Sequence, residues 1–255
     1  MNPTFQRPIL SVRIHAGLNA GVFLAGLLAL TGTQFMSPDE LLKSKFPLLN
    51  ASLDLVPTSV NHIAGVSALI RCPHEHVHRT PADIQRLYDD SALSEPARRL
   101  ASDIWSVLTR AEAKVHDKPI EQVHFHEVGR MANVIAIGLI AELVTALNPS
   151  RIIASAIPLG DGLIHSAHGA MPYPAPAMFE MLDGVPVRPY RGEGEPVTPT
   201  GLAVLLGLKT QFGSWPKMRV QKHVTAFLPN KVFHDVPNGC LFVLGSDFDD
   251  EAPAR

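Results

Sequence analysis

PILSVRIHAGLNAGVFLAGLLAL, residues 8–30, carries three textures in succession. PILSVRI (8–14) has the composition of a strand, HAGLNAG (15–21) supplies glycines for a tight turn, and GVFLAGLLAL (21–30) is an unbroken apolar run. Strand, turn and helix in that order open an α/β domain, and the turn of such a unit often faces a ligand. The apolar run has a second reading, because Arg7 and Arg13 precede it and its length matches the apolar segment of a secretory signal. Gly32 behind it terminates a helix, no small-x-small cleavage pattern follows, and no other apolar stretch reaches the ~20 residues that a membrane span requires. A buried helix is therefore the expectation, in a protein that does not enter a membrane.

Composition agrees with a globular domain. The 255 residues are 46% hydrophobic, enough for a sizeable core. Charged residues make up 18% of the chain and the formal net charge is −2, with no long run of Lys or Arg. The positive surface that duplex nucleic acid demands is missing, so nucleic acid is not expected as a partner. Cys72 and Cys240 stand far apart, which indicates neither a disulfide framework nor a thiolate zinc cluster and points to a reducing cytoplasm. No repeat of fixed period is present.

Outward from the opening unit, LVPTSVNHIAGVSALIRC (55–72) reads as one or two strands with a loop, and CPHEHVHRTP (72–81) breaks regular structure with prolines. The clearest helix spans 94–116, where Leu100, Ile104, Val107, Leu108, Ala111 and Val115 recur at three- and four-residue steps. Ser94 is its candidate N-cap and Pro96 falls in its first turn. After Pro119 an extended piece, EQVHFHEV (121–128), leads to a helix over 131–147 that is apolar nearly all round. IIASAIPLG (152–160) reads as one buried strand, GDGLIHSAHGAMPYPAPA (160–177) as a long loop pinned by prolines, and GEGEPVTPTGLAVLLGL (192–208) as a glycine-rich turn feeding a helix. The fold class that follows is α/β: a mixed sheet packed against several helices, one compact domain over 1–245, and a disordered acidic tail over 246–255.

Twelve histidines concentrate the candidate chemistry. In an extended backbone alternate side chains share a face, so His124 and His126 present two imidazoles to one metal ion while Glu127 points away. The alternative is a pair of partly buried rings hydrogen-bonded to backbone. His74, His76 and His78 repeat the alternation in a proline-bounded loop, either as a weak capture site for nickel, zinc or copper or as a solvated polar loop. His165 and His168 flank a glycine-rich turn. Thr198, Thr200 and Gly201 stand at a helix start, where amides and hydroxyls hold a phosphate or carboxylate, or simply cap the helix. A metal-dependent hydrolase with Glu127 as general base lacks a third ligand at any characteristic spacing.

The ordered set HRTPADI, AEAKVH, EQVHFHEVG, SAIPLGDG, SAHGAMPYPAPA and VTPTG closely resembles the LarC family of nickel-insertion proteins. The likeness is strong over 78–201 and fainter on either side. It implies the N-terminal portion of a cytidine-triphosphate-dependent nickel chelatase, formally a lyase, that loads nickel into a pyridinium bisthiocarboxylic acid mononucleotide, the pincer cofactor of lactate racemase, and uses manganese or magnesium. With it, the histidine pattern is read as nickel ligation by His74, His76, His78, His124 and His126, and the loop and helix-start residues His165, His168, Thr198, Thr200 and Gly201, together with Arg13 by its charge rather than by the family pattern, are read as facing the nickel-pincer nucleotide precursor. A separate C-terminal domain that binds the nucleotide, or a second copy of the chain, is the implied partner.

Four positions depart from the family pattern. Members open with Asp-Cys-x-x-Gly-x-x-Gly-Asp-Met and carry an aspartate pair four residues apart after the His-x-His-Glu-x-Gly motif. Here those positions are Arg13, Gly21, Ala132 and Ala136. Hard cations want oxygen ligands, and a fixed guanidinium at position 13 repels a cation while attracting a phosphate or acidic cofactor. Two functions follow: nickel handling through imidazoles, or a non-catalytic paralogue that binds or assembles with a complete insertion enzyme.

Overall fold

A computed structural model describes residues 7–32, 36–75, 78–166, 169–234 and 236–247. The first half of the chain runs β1 (Ile9–Ala16), α1 (Ala20–Thr31), α2 (Pro38–Lys45), β2 (Ser52–Val60), β3 (Ile63–Arg71), α3 (Pro81–Asp89), α4 (Glu95–Val115), a 3-10 turn at Ile120–Gln122, and α5 (Met131–Leu147). The second half runs β4 (Arg151–Ala154), β5 (Ile157–Leu159), β6 (Gly162–Ser166), β7 (Gly169–Tyr173), α6 (Pro176–Glu180), β8 (Val187–Pro189), α7 (Pro199–Gly207), β9 (Gln211–Phe212), β10 (Arg219–Ala226) and β11 (Gly239–Ser246).

Seven strands form one mixed sheet in the order β2-β3-β10-β11-β1-β4-β9. β1 is antiparallel to β11 and parallel to β4. Alternation along β1 explains why it tolerates an interior position: Leu10, Val12 and Ile14 join the main core, while Ile9 packs with Ile153, Met218 and Val243 in a separate cluster. α1 lies across β3, β10 and β11 and packs on α5, α5 packs on α4, and α4 packs on α6 and α7, so the helices form a layer over the main core. Asn19 caps α1 by accepting the Val22 N–H at 2.8 Å, and Phe242 fills the space over Gly26, where any Cβ would collide with its ring. The Tyr88 hydroxyl donates to Val134 O at 2.9 Å and accepts the Trp105 indole N–H at 2.7 Å, tying α3, α4 and α5 together. These features bear out the α/β class and the core-helix reading of the opening run; no described helix is long and apolar enough to cross a membrane. Both cysteines are free.

Three local expectations are corrected. IIASAIPLG is not one strand: Ser155 accepts the Ile14 N–H at 2.9 Å and donates its own N–H to Val12 O at 3.0 Å, after which the chain leaves the sheet and β5 pairs with β8. The proline-rich stretch after Gly160 is largely ordered as the β6–β7 hairpin and α6. Ser94 precedes α4 without capping it, because its N–H and hydroxyl both donate to Glu142 of α5, at 2.8 and 3.0 Å. The acidic tail expected over 246–255 begins within β11 at Ser246, and 248–255 lie outside the described residues.

Candidate functional site

The His-rich loop reaches the start of α5 through one residue. Arg79 N–H donates to Phe125 O at 3.3 Å and Phe125 N–H donates to Arg79 O at 2.8 Å, a two-bond bridge between segments far apart in sequence. The Arg79 guanidinium, 7% exposed, grips both oxygens of Glu75 at 2.7 and 2.6 Å and donates to Gly129 O at 2.9 Å. Glu75 in turn accepts the Met131 N–H at 2.9 Å, satisfying a donor in the first turn of α5. The Arg79 hydrogen bonds, opposed in part by burial and helped by the Met131 amide, hold the Glu75 carboxyl below its ordinary value. This clamp sets His78 against His126, whose rings meet edge to face with centroids 4.4 Å apart.

His124 does not join that pair. It is exposed, and its Nδ1 lies 2.9 Å from Gln122 O. His74 is exposed on the loop before Glu75, while His76 and His168 lie outside the described residues; of His165 the structure describes the backbone, in β6.

The opposite wall is built where β1 ends. Gly17 and Leu18 N–H both donate to Pro196 O, at 2.6 and 3.0 Å, and Thr198 N–H donates to Leu18 O at 2.9 Å. Thr198 accepts the Gly201 N–H at 3.3 Å and touches the Thr200 hydroxyl at 3.0 Å, so the cap of α7 is made. Gly201 is required by packing, since a Cβ there would sit 2.6 Å from Leu18 O. Between the walls lies a cleft of about 330 Å³ lined by, among others, Asn19, His126, Glu127, Asn133, Glu195, Thr198 and Thr200. It opens beyond the carboxyl end of β1, where open α/β sheets hold ligands, and the N-terminal turns of α1, α5 and α7 border it.

Glu195 is the residue that sequence reading missed. Its Oε1 is buried and meets no hydrogen-bond partner among the described residues. Burial, against the attraction of Lys231 and with the repulsion of Glu127, pushes its carboxyl up to about 7. GEGEPVTPTG signals a turn, yet only the Pro196 anchor to Gly17 and Leu18 turns this glutamate toward the cleft. Glu195→Gln is expected to stabilise the protein at pH 8 by on the order of 2 kcal/mol and to change nothing at pH 4. The folded state keeps the proton to about pH 7 while the unfolded chain releases it near 4.5, so wild-type stability falls across that window and levels off above it. Melting temperature against pH reads the difference, and equal shifts at pH 4 and pH 8 would refute it.

Arg13 lies apart from the cleft. Its guanidinium, 5% exposed, donates to Gly213 O at 3.0 Å and Ile153 O at 3.4 Å and sits 5.1 Å from the Trp215 ring centroid. Among the described residues no three His, Cys, Asp or Glu side chains converge as a ready-made metal-binding group.

A family model described as nickel insertion protein matches residues 10–252. A Geobacter metallireducens protein named for nickel insertion is 37% identical over 239 residues, covering 93% of this chain and 60% of its own length. Pyridinium-3,5-bisthiocarboxylic acid mononucleotide nickel insertion proteins of Desulfitobacterium hafniense and Staphylococcus epidermidis are 39% and 36% identical, over 63% and 81% of this chain and 40% and 52% of their own lengths. The chain thus spans 60% or less of these three relatives. No solved structure matches.

Proposed function

The chain belongs to the nickel insertion protein family, and from that membership we propose that it serves the loading of nickel into a pyridinium mononucleotide of the pincer type. Nickel is the cargo, held in transit by His126 and His78, with Glu127 and Glu195 as oxygen donors at the cleft. The observation that carries this reading is the clamped imidazole pair, whose His126 lines a cleft that also holds three carboxylates, Glu112, Glu127 and Glu195. His74 and His76 extend the pair as outer capture ligands on the same loop, and His124 serves as a further outer ligand at the exposed end. The precursor's phosphate is assigned to the Thr198 and Thr200 hydroxyls at the start of α7, with His165 of β6 as a further contact and His168, which lies outside the described residues, kept from the sequence pattern alone. Gly201 contributes close packing there.

Isothermal titration with nickel tests the assignment. His126→Ala and His78→Ala are each expected to weaken nickel binding by about 10–100-fold. Affinity unchanged in both variants overturns it.

Cytidine triphosphate with manganese or magnesium does not fit the four departed positions. Arg13 is committed to backbone carbonyls away from the cleft, Gly21 offers no side chain, and Ala132 and the buried Ala136 of α5 carry only methyl groups, so none of the four supplies the oxygen a hard cation needs. We assign neither group to this chain. The same positions favour a second reading, a paralogue that binds or assembles with a complete insertion enzyme, a separate C-terminal domain or another copy of the chain. Nickel insertion by the unmodified chain alone would exclude that reading.

A further inference from the structure

We propose that the outer edge of β10, with the leucine-lined groove beside it, receives an extended acidic segment of a partner protein, which joins the sheet as a further strand. The groove shares no lining residue with the histidine cleft, and the proposal goes beyond the nickel reading and does not depend on it.

β10 lies inside the strand order, yet its first residues form an edge. β3 meets it at Ala226, opposite Val66, where Phe227 N–H donates to Val66 O at 2.9 Å. In that parallel register Ile63, the first residue of β3, falls opposite His223, and the chain before it reverses through Asn61 and His62, both at positive φ. Among the described residues, 219–222 therefore have no strand on their outer side, and the backbone N–H and C=O groups pointing that way are open to pairing. Facing residues of an antiparallel pair share a side, so Arg219 opposite Ser246 and Lys222 opposite Leu244 stand on the side of Phe242, toward the helices. There a groove of about 500 Å³ is lined by Leu28 and Leu30 of α1, Leu41 of α2, Leu143 and Leu147 of α5 and Leu244, among others, and Lys222 is the one charged residue of its described lining. A strand laid along this edge drops alternate side chains into the groove.

Charge selects the occupant. Between Glu195 and Asp235 the sequence has no acidic residue, while Lys209, Lys217, Arg219, Lys222 and Lys231 all fall within that stretch. Arg219 and Lys222 are exposed, and Lys222 Nζ rests on Leu30 O at 3.3 Å, at the rim of the groove. A second copy paired edge to edge sets these cations against their own kind, which is destabilising, and the bulge between Val220 and Lys222 bends the edge away from a flat match. A strand that carries carboxylates for Arg219 and Lys222 and apolar side chains for the leucines gains where the copy loses.

A labelled octapeptide of valine pairs alternating with glutamate pairs, which places both residue types on each face of a strand, tests the proposal by fluorescence anisotropy. Saturable binding to the full chain is expected, weakened about tenfold by Lys222→Glu and by Arg219→Glu while nickel affinity stays unchanged. Peptides with serine in place of valine, or lysine in place of glutamate, are expected to bind at least tenfold more weakly. An added strand pairs along one flank, so N-methylation of one alternate set of peptide amides abolishes binding and N-methylation of the other set leaves it. Absence of saturable binding, equal affinity for the lysine peptide, or indifference to both methylation patterns overturns the proposal. A dimer of the chain that either charge reversal dissolves gives the edge to a second copy, and peptide binding that appears only after removal of residues 248–255 gives it to the chain's own acidic end; each overturns the proposal as well.

Discussion

Arg79→Met is expected to lower the unfolding free energy by about 3 kcal/mol and to weaken nickel binding although no imidazole is altered. The substitution leaves Glu75 facing the interior with its main counter-charge gone, and it removes the donor to Gly129 O. Breaking a buried pair by deleting one partner costs about 3–5 kcal/mol, and the lower end applies because the Glu75 side chain keeps 25% exposure. Its acid dependence identifies the mechanism. The Glu75 carboxyl sits below its ordinary 4.5 in the folded state, so its contribution is present above that pH and fades as pH falls through the lower folded value. The variant therefore loses part of the wild-type acid slope. Denaturant midpoints at pH 7 and in the acid limb measure both effects, and a loss under about 1 kcal/mol at pH 7 would show that the clamp is ornamental.

Phe125→Ala should cost about 3–5 kcal/mol. Phe125 is fully buried, its ring centroid 5.2 Å from that of Trp105, and its backbone carries both hydrogen bonds to Arg79. Truncation opens a cavity under the segment that presents His126, and the loosened bridge separates His126 from His78. Phe125→Leu fills most of the space and should recover most of the stability and the nickel affinity together. Combined with Arg79→Met, the loss is expected to fall short of the sum, since both changes disrupt one bridge. Strict additivity in chemical denaturation would mean that the two residues act separately.

The helices were legible because their signals are local. Gly32 closing α1, the three- and four-residue steps of α4, and the unbroken apolar run of α5 each lie within one stretch of chain. The strand break at Ser155 was not, because an apolar run reads alike whether it continues straight or turns to another partner; the turn is set by Val12 and Ile14, distant in sequence. At the candidate site, alternation in the sequence pairs His124 with His126, whereas in the fold the ring packed on His126 is that of His78, selected by the Arg79–Phe125 bridge. Glu195 was hidden for the same reason, as its orientation depends on a hydrogen bond between Pro196 and the end of β1.

The pairing of β1 with β11 sets a condition on biosynthesis. Ala16 and Cys240, 224 residues apart, are brought together across this pair, and one face of β1, with Leu10, Val12 and Ile14, is apolar. At ribosomal speeds of ~5–20 residues per second, the first strand waits on the order of 10–45 s for its antiparallel neighbour to be translated. Throughout that interval a sticky ribbon has one flank unmatched, which makes the nascent chain a natural client for a holding chaperone.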